Sequence, residues 1–493
     1  MPLSLHRQDY GRRQLMQPGT QRRDLLNLYA SSRPKKRYFG AFSVFCLGFT
    51  LDFFDFYLVG FLLAVLGPGW HLTYGESSLI LLSAGAGAIV GSLFSGSLAD
   101  AFGRKRVLLI STTICGFSAG AAAFLPEGAW LGFAALRFLV GCGLAGAATT
   151  QTVLLVEHTP ASYRTRLTGF PIVAASVGSL IASISAATLL HAFGWRGVAA
   201  LGFAPLLVTV SAALFVPESG QWLISKGRLG EARNVFARLL GMDASDLPAL
   251  TTATSVTAAP APNGRIGELL LFPGRTLLVV VTWAALSTAG YGVYLWGPTI
   301  VALLLKISPA EAAKHFIAIA LAGIAGRLLF SLLPRWMTRR KVCAIFGFGI
   351  AVSLGAAGLG AQHSVAGFPV FVVMVAVGAL FFDGGWCVVG PYSVEIFPTR
   401  LAARAIGVGQ AANGVGKILG PLCLAVIAGT GNVITPRATT DAVLPAFLFL
   451  AGCGLLIGIL FAVLAPADAS EQGETGIDTL SDPRGPAINR IAH

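Results

Sequence analysis

Charge is what this sequence has least of. Only 12% of its 493 residues are Asp, Glu, Lys or Arg, about half the share of a soluble globular chain. That shortfall excludes an ordinary soluble enzyme. Acidic residues are the scarcer sign, 22 against 35 basic ones. Cysteine occupies seven positions (46, 115, 142, 343, 387, 423, 453), all in or beside apolar stretches and never as CxxC, so neither a disulfide framework nor a zinc site is indicated. The seven histidines are scattered over termini, loops and segment ends, and no HExxH or GxxxxGK[ST] element occurs. Motifs for metal-assisted hydrolysis and nucleotide chemistry are therefore missing. Neither enzymatic activity nor a cofactor is expected.

What the chain has instead is apolar sequence in long runs. Hydrophobic residues make up 55% of it and its mean hydropathy is +0.74. A helix needs about 20 apolar residues to cross a ~30 Å hydrocarbon layer. Runs of that order recur near 39–66, 78–99, 107–125, 130–153, 167–190, 195–216, 276–304, 313–333, 342–361, 367–390, 405–429 and 441–465. The expected fold class is an all-α membrane protein with twelve transmembrane helices. The first 38 residues hold nine basic residues and no apolar core, so they are not a secretory signal, and the first long run acts as an uncleaved insertion signal. The longest polar break is basic at its start and low in complexity over Thr251–Pro262. The chain thus divides into a basic segment 1–38, a six-helix half 39–216, a central loop 217–275, a second six-helix half 276–465 and a tail 466–493.

A net charge of +13 would, in a soluble chain, raise the question of nucleic acid. The distribution of that charge answers differently. Of the 35 basic residues, 28 fall on the side of the spans that carries both termini, and only Arg196, Lys306, Lys314 and Arg437 fall on the other. Cationic loops are retained in the cytoplasm. Both termini are expected on the cytoplasmic side of the inner membrane, with the lipid bilayer, and no nucleic acid, as the partner of this charge.

Charges inside spans need separate reasons, since an Asp or Arg at a helix centre costs roughly 2.5–3.5 kcal/mol on insertion scales. Asp52 and Asp55 are three apart and share a helix face. Counted from Arg37, Asp55 lies about 27 Å deep and Asp52 about 22 Å; counted back from Glu157, Arg137 lies about 30 Å deep. Asp55 is therefore the expected partner of Arg137, with Asp52 as an alternative proton carrier or a second site. The same count places Asp383 about 18 Å from Glu395 and Lys417 about 20 Å from Arg404. Two uses follow for that pair: locking the tenth and eleventh helices together, or opening so that Lys417 meets an anionic substrate. Arg327, near the end of the eighth span, is expected to snorkel as a helix anchor.

The halves echo one another, as duplicated units do. Glu157, Pro160, Arg166 and Gly169 recur as Glu395, Pro398, Arg404 and Gly407, each displaced by 238 residues. More loosely, Gly103-Arg104-Lys105-Arg106-Val107 answers Thr338-Arg339-Arg340-Lys341-Val342 at an offset of 235. Two six-helix halves around a midplane site are the plan of the major facilitator superfamily. The motifs make the resemblance specific. Gly96 to Lys105, with Asp100, Gly103 and Arg104, resembles that superfamily's loop between helices 2 and 3. Arg137-Phe138-Leu139-Val140-Gly141, the paired Glu-x-x-Pro elements and Pro217-Glu218-Ser219-Gly220-Gln221-Trp222-Leu223 resemble its sugar-porter-like branch. The resemblance implies a cytoplasmic gate built on Asp100, Gly103 and Arg104 and on the Glu157/Arg166 and Glu395/Arg404 sets. It also implies proton coupling at Asp55 with Arg137. Arg335 stands where the second half would carry an acid, so gating there is expected to be lopsided.

Substrate class follows from a departure. Sugar porters that this chain resembles carry paired glutamines on helices 5 and 7, but the fifth span has no Gln between Phe170 and Leu190. Asp52-Phe53-Phe54-Asp55-Phe56-Tyr57 is similar instead to the Asp-x-x-Asp element of aromatic-acid, sialate and monocarboxylate proton symporters. Aromatic walls from Phe53, Tyr57, Tyr291, Tyr294, Trp296 and Trp386 together with the Lys417 cation suit a small carboxylate. Asp383, Gln151, Gln410 and Asn413 are the remaining polar candidates. The expectation is a monomeric symporter that takes up a small organic anion with protons; sugar or polyol uptake, proton-driven efflux and a membrane sensor on the same fold are the rival readings.

Overall fold

The computed structural model describes residues 28–247, 266–398 and 401–465. The low-complexity stretch of the central loop, the first 27 residues and the tail from 466 lie outside the described residues, as does the side chain of Arg166. The apolar runs form α1 (Lys36–Gly69), α2 (Tyr74–Phe102), α3 (Arg104–Ala121) and α4 (Trp130–His158). A single helical stretch, Phe170–Phe215, is broken by Gly194 at φ 63° and ψ −172°, a conformation open to glycine and strained for other residues. It yields α5 (170–193) and α6 (195–215). The second half contributes α7 (Pro273–Leu305), α8 (Pro309–Leu332), α9 (Arg339–Leu359), α10 (Val370–Glu395), α11 (Ala402–Ala428) and α12 (Pro436–Val463). These helices are apolar on every side, as lipid-embedded helices are: Phe45 and Phe346 are buried while Leu93 and Val352 point outward.

The helices overrun the apolar sequence that defines them. α1 has 34 residues, about 51 Å at 1.5 Å per residue, so its ends stand clear of a ~30 Å hydrocarbon layer. At α2 the extension has a cause: the Thr73 side chain accepts from Glu76 N while the Glu76 carboxylate takes the Thr73 N–H. Ser308 and Glu311 repeat this at α8. Each box satisfies amides that a helix start leaves open. Between α9 and α10, β1 (Ser364–Val365) and β2 (Phe368–Pro369) pair as an antiparallel hairpin. Ala366 and Gly367 turn it with φ 51° and 82°, the two positive angles a two-residue hairpin turn requires.

Within the first half α2 packs on α4, α1 on α5 and α3 on α4; within the second, α9 packs on α12, α7 on α11 and α8 on α10. The halves meet along three seams, α5 against α8, α2 against α11 and α1 against α7. One face, opposite the start of α1 and the end of α12, is closed by backbone. Tyr74 N–H donates to Asn432 O and Gly75 N–H to Thr430 O, both at 2.9 Å, and Ile434 N–H returns to Leu72 O at 3.1 Å. Tyr74 and Thr439 join their hydroxyls at 2.6 Å. Toward the terminal face the α2/α11 seam parts: a Cβ added at Gly414 would lie 3.9 Å from Ile89, while Gly96 and Gly407 have open space beside them.

Closure leaves no room for a side chain at Gly75, whose added Cβ would lie 2.8 Å from Thr430 O. Gly75→Val is expected to push this face apart and raise amide hydrogen exchange over residues 430–434 by about tenfold or more, as the local opening cost falls. Unchanged exchange there would show that the contact does not hold the face shut.

On the terminal face, helices Gly220–Ser225 and Leu229–Leu240 of the central loop form a small apolar cluster with Tyr29, Trp222 and Phe236 at its centre. Burial raises the Tyr29 phenol above its ordinary range, so it stays a neutral donor, and its hydroxyl donates a hydrogen bond to the His158 carbonyl at the end of α4.

Candidate functional site

Five of the six charges inside the spans converge on the middle of the molecule in two buried ion pairs and one separate cation. In the first half, Arg137 of α4 donates to Asp55 of α1 at 2.9 Å, with Asp55 2% and Arg137 4% exposed. The depth count points to the same partner. Arg137 Nε and its second terminal nitrogen have no partner among the described residues. Beside the pair lies a cavity of about 10 Å³ walled by Asp55, Leu58, Phe133 and Arg137, a volume that admits about one water. Asp52, one turn earlier on α1, accepts instead from Gln151 Nε2 of α4 at 2.6 Å. Each carboxylate of the Asp-x-x-Asp element thus has its own partner on one helix.

The second half corrects two expectations. Asp383 does not pair with Lys417. It accepts from the Arg327 guanidinium of α8 at 2.9 Å and from the Tyr294 hydroxyl of α7 at 2.5 Å. Nor does Arg327 snorkel: it is 2% exposed. Depth along one helix says nothing of which neighbour covers it, and α5 packs across this end of α8. The guanidinium also donates to the Ile172 carbonyl of α5 at 2.6 Å and sits 5.4 Å from the centre of the Phe53 ring of α1. None of the ion pairs among the described residues joins the two halves. Arg327 reaches across.

Lys417 of α11 is left without a carboxylate within 4 Å among the described residues. Its ammonium lies over two aromatic faces, 5.6 Å from Phe56 and 5.3 Å from Tyr291, and those rings meet edge to face at 4.7 Å. Phe56 is the site residue that the sequence reading missed; its signal is the spacing of four from Asp52, which places both on one face of α1. Pro421 has no N–H to give the Lys417 carbonyl, and Pro298 has none for that of Tyr294, so both helices lack a bond at the residue that carries the chemistry. α1, α7 and α11 therefore bring one cation and two rings to the seam between the halves.

The other aromatic candidates divide. Tyr294 lies tilted against Tyr57 at 4.3 Å and meets Phe382 at 5.4 Å, which places it in the same wall. Trp386 is partly buried against Trp283 at 5.6 Å. Trp296 is a correction. It is 1% exposed, its indole N–H is taken by the Pro421 carbonyl at 2.9 Å, and its ring lies against Tyr74. It belongs to the closed face, because about a turn and a half of α7 carries it beyond the Tyr291 level. Asn413 accepts from Ser287 at 2.6 Å and donates to Gln410 at 3.2 Å, and Gln410 is exposed toward the open end of α11.

The expected gate residues form a network at the terminal ends of each half. Arg104 lies 3.4 Å from Asp100 and 3.6 Å from Glu157. Glu218 accepts from the backbone N–H of Lys105 at 3.0 Å, and the Trp222 indole donates to Asp100 O at 2.9 Å. Gly103 adopts φ 106°, and a Cβ there would lie 2.4 Å from the Glu218 carboxylate, so the bend and the docking both require glycine. In the second half Glu395 pairs with Arg339, not with Arg404 as its repeat position suggested. The reason lies in the repeat itself: Arg339 opens α9 as Arg104 opens α3, so the loop arginine reaches the helix-end glutamate in both halves. Glu157/Arg166 cannot be placed, since that arginine side chain is outside the described residues.

Against known proteins, the model of the sugar (and other) transporter family matches residues 41–472. The chain is 28% identical to the niacin transporter NiaP of Acinetobacter baylyi over 76% of its length and 84% of that protein. It is 27% identical to the 4-hydroxybenzoate transporter PcaK of Pseudomonas aeruginosa over 90% of its length and 97% of that protein. Among solved structures, the inward open conformation of the xylose transporter XylE from E. coli superposes with a TM-score of 0.68 at 19% identity, covering 87% of this chain and 96% of that one. The fold is that of a multi-pass major facilitator transporter, and the chain belongs to the sugar (and other) transporter family.

Proposed function

We propose that this protein is a proton-coupled importer of small organic anions, aromatic carboxylates above all, working by alternating access. Lys417 carries the reading. A lysine inside a span is costly, and here no carboxylate within 4 Å offsets it among the described residues. A substrate carboxylate supplies that partner through a charge-assisted bond, while Phe56 and Tyr291, with Tyr57 and Tyr294 behind them, offer edges and faces to a flat ring. The relatives named for niacin, 4-hydroxybenzoate and cis,cis-muconate transport support the same class, since all three compounds are carboxylates at neutral pH. Both termini lie in the cytoplasm, so the parted α2/α11 seam is the inward opening. Asp55 carries a proton and Arg137 sets its affinity; a change in their separation on rocking converts access into proton binding and release. Asp100, Gly103, Arg104, Glu157, Glu395 and their loop partners stiffen the cytoplasmic end of each half so that it moves as a body.

A stability screen tests substrate class without transport. A ligand present at about 100 times its Kd adds about 2.7 kcal/mol to the folded state. Nicotinate and benzoate are expected to raise the Tm of the purified protein, more at acidic than at neutral pH, and xylose to leave it unmoved. Stabilisation by xylose alone would replace the anion with a sugar.

A further inference from the structure

The second buried pair has a design that a static helix clamp does not need. Arg327 divides one guanidinium between the two halves: one terminal nitrogen holds Asp383 of its own half at 2.9 Å, the other holds the Ile172 carbonyl of the opposite half at 2.6 Å, and the Phe53 ring of that half lies 5.4 Å away. Asp383 is 3% exposed. The titratable groups that face it are Arg327 from α8, Tyr294 from α7, Tyr57 from α1 and Cys387 on its own helix, so Arg327 is the one cation among them.

We infer that Asp383 is a second proton-binding site, switched by which half holds Arg327; this rests on the proton-symport reading above. In the inward-open arrangement Arg327 is within reach of both halves and its guanidinium is the charge partner of the Asp383 carboxylate. When the halves rock, the seam α5/α8 shifts, and Ile172 and Phe53 draw the guanidinium away with the first half. Asp383 is then a buried carboxylate faced by Tyr294, Tyr57 and Cys387, with no cation among those groups, so a proton takes the place of the guanidinium. It takes a proton on the outward side and returns it when Arg327 comes back. Loss of the ion pair is tolerable for Arg327 because the carbonyl and the ring remain as partners, whereas a guanidinium with no second partner would stay with its carboxylate.

The proton count reads this directly. In proteoliposomes clamped at zero voltage, the nicotinate gradient at which net flux reverses grows about tenfold per pH unit for each proton carried with the anion. With leak in protein-free vesicles subtracted, the wild type is expected to balance about a hundredfold gradient per pH unit, and Asp383→Asn about tenfold. Should that variant not fold because it strands the Arg327 charge, Arg327→Gln combined with Asp383→Asn removes both charges and is expected to give the same tenfold value. A wild type that balances only about tenfold, or an Asp383→Asn protein still at a hundredfold, overturns the second proton while leaving symport intact. No acid-driven gradient in the wild type would overturn the symport reading, and this site with it.

Discussion

Asp55→Asn is expected to lower the steady nicotinate gradient by about tenfold for each pH unit imposed, while exchange of labelled for unlabelled substrate across the membrane continues. The two halves of this expectation have one cause. Asparagine keeps the shape of a protonated aspartate, so the first half rocks with or without a proton and the thermodynamic link is lost, one factor of ten per proton per pH unit. Binding is not lost, because Asp55 is 2% exposed and faces Arg137 rather than the rings at Lys417. The uncoupled Arg137 charge is the risk to folding, since a buried pair broken on one side costs about 3–5 kcal/mol. Pairing Asp55→Asn with Arg137→Gln controls for that. An unchanged gradient in a folded Asp55→Asn protein would move the first proton to Asp52, which accepts from Gln151 on the same helix face.

Lys417→Gln is expected to raise the KM for nicotinate by about 10- to 100-fold, the range for losing a hydrogen bond to a charged group at about 1.5–3 kcal/mol. Folding is expected to survive, because the substitution removes a cation with no carboxylate within 4 Å among the described residues rather than one member of an ion pair. Arginine at 417 restores charge without the same geometry and is expected to recover binding only in part. Exchange kinetics in proteoliposomes measure both. A KM that does not move would leave Lys417 as a cation held for the sake of Phe56 and Tyr291 alone.

The number and order of the spans were legible because the bilayer writes them as composition: about 20 apolar residues, a polar break, and basic residues on one side. Their ends were less legible. The span expected at 78–99 runs Tyr74–Phe102 because a capping box and a glycine bend, not hydropathy, set its limits. Depth counting found Asp55, near the middle of α1, with Arg137, about two turns into α4, because both heights were counted from the same face of the bundle. It failed for Asp383, since the arginine that reaches it sits about a turn and a half from the end of α8 and crosses the difference on its long side chain. Height alone does not reveal which helix stands next to which. Trp296 was misassigned for the same reason: it follows Tyr294 by two residues, and a helix turns those two side chains about 200° apart. The loop arginines Arg104 and Arg339 stand in the looser repeat at an offset of 235, a weaker signal than the match at 238 that carries Arg166 and Arg404.

The most direct test of the central reading, anion uptake driven by protons, is nicotinate accumulation in proteoliposomes with the outside acidified. Accumulation above the external concentration, beyond that of protein-free vesicles, collapsing on addition of a protonophore and weakened by Lys417→Gln, is the expected result. Uptake that equilibrates without exceeding the external concentration, at the same rate with and without the pH gradient, would contradict it.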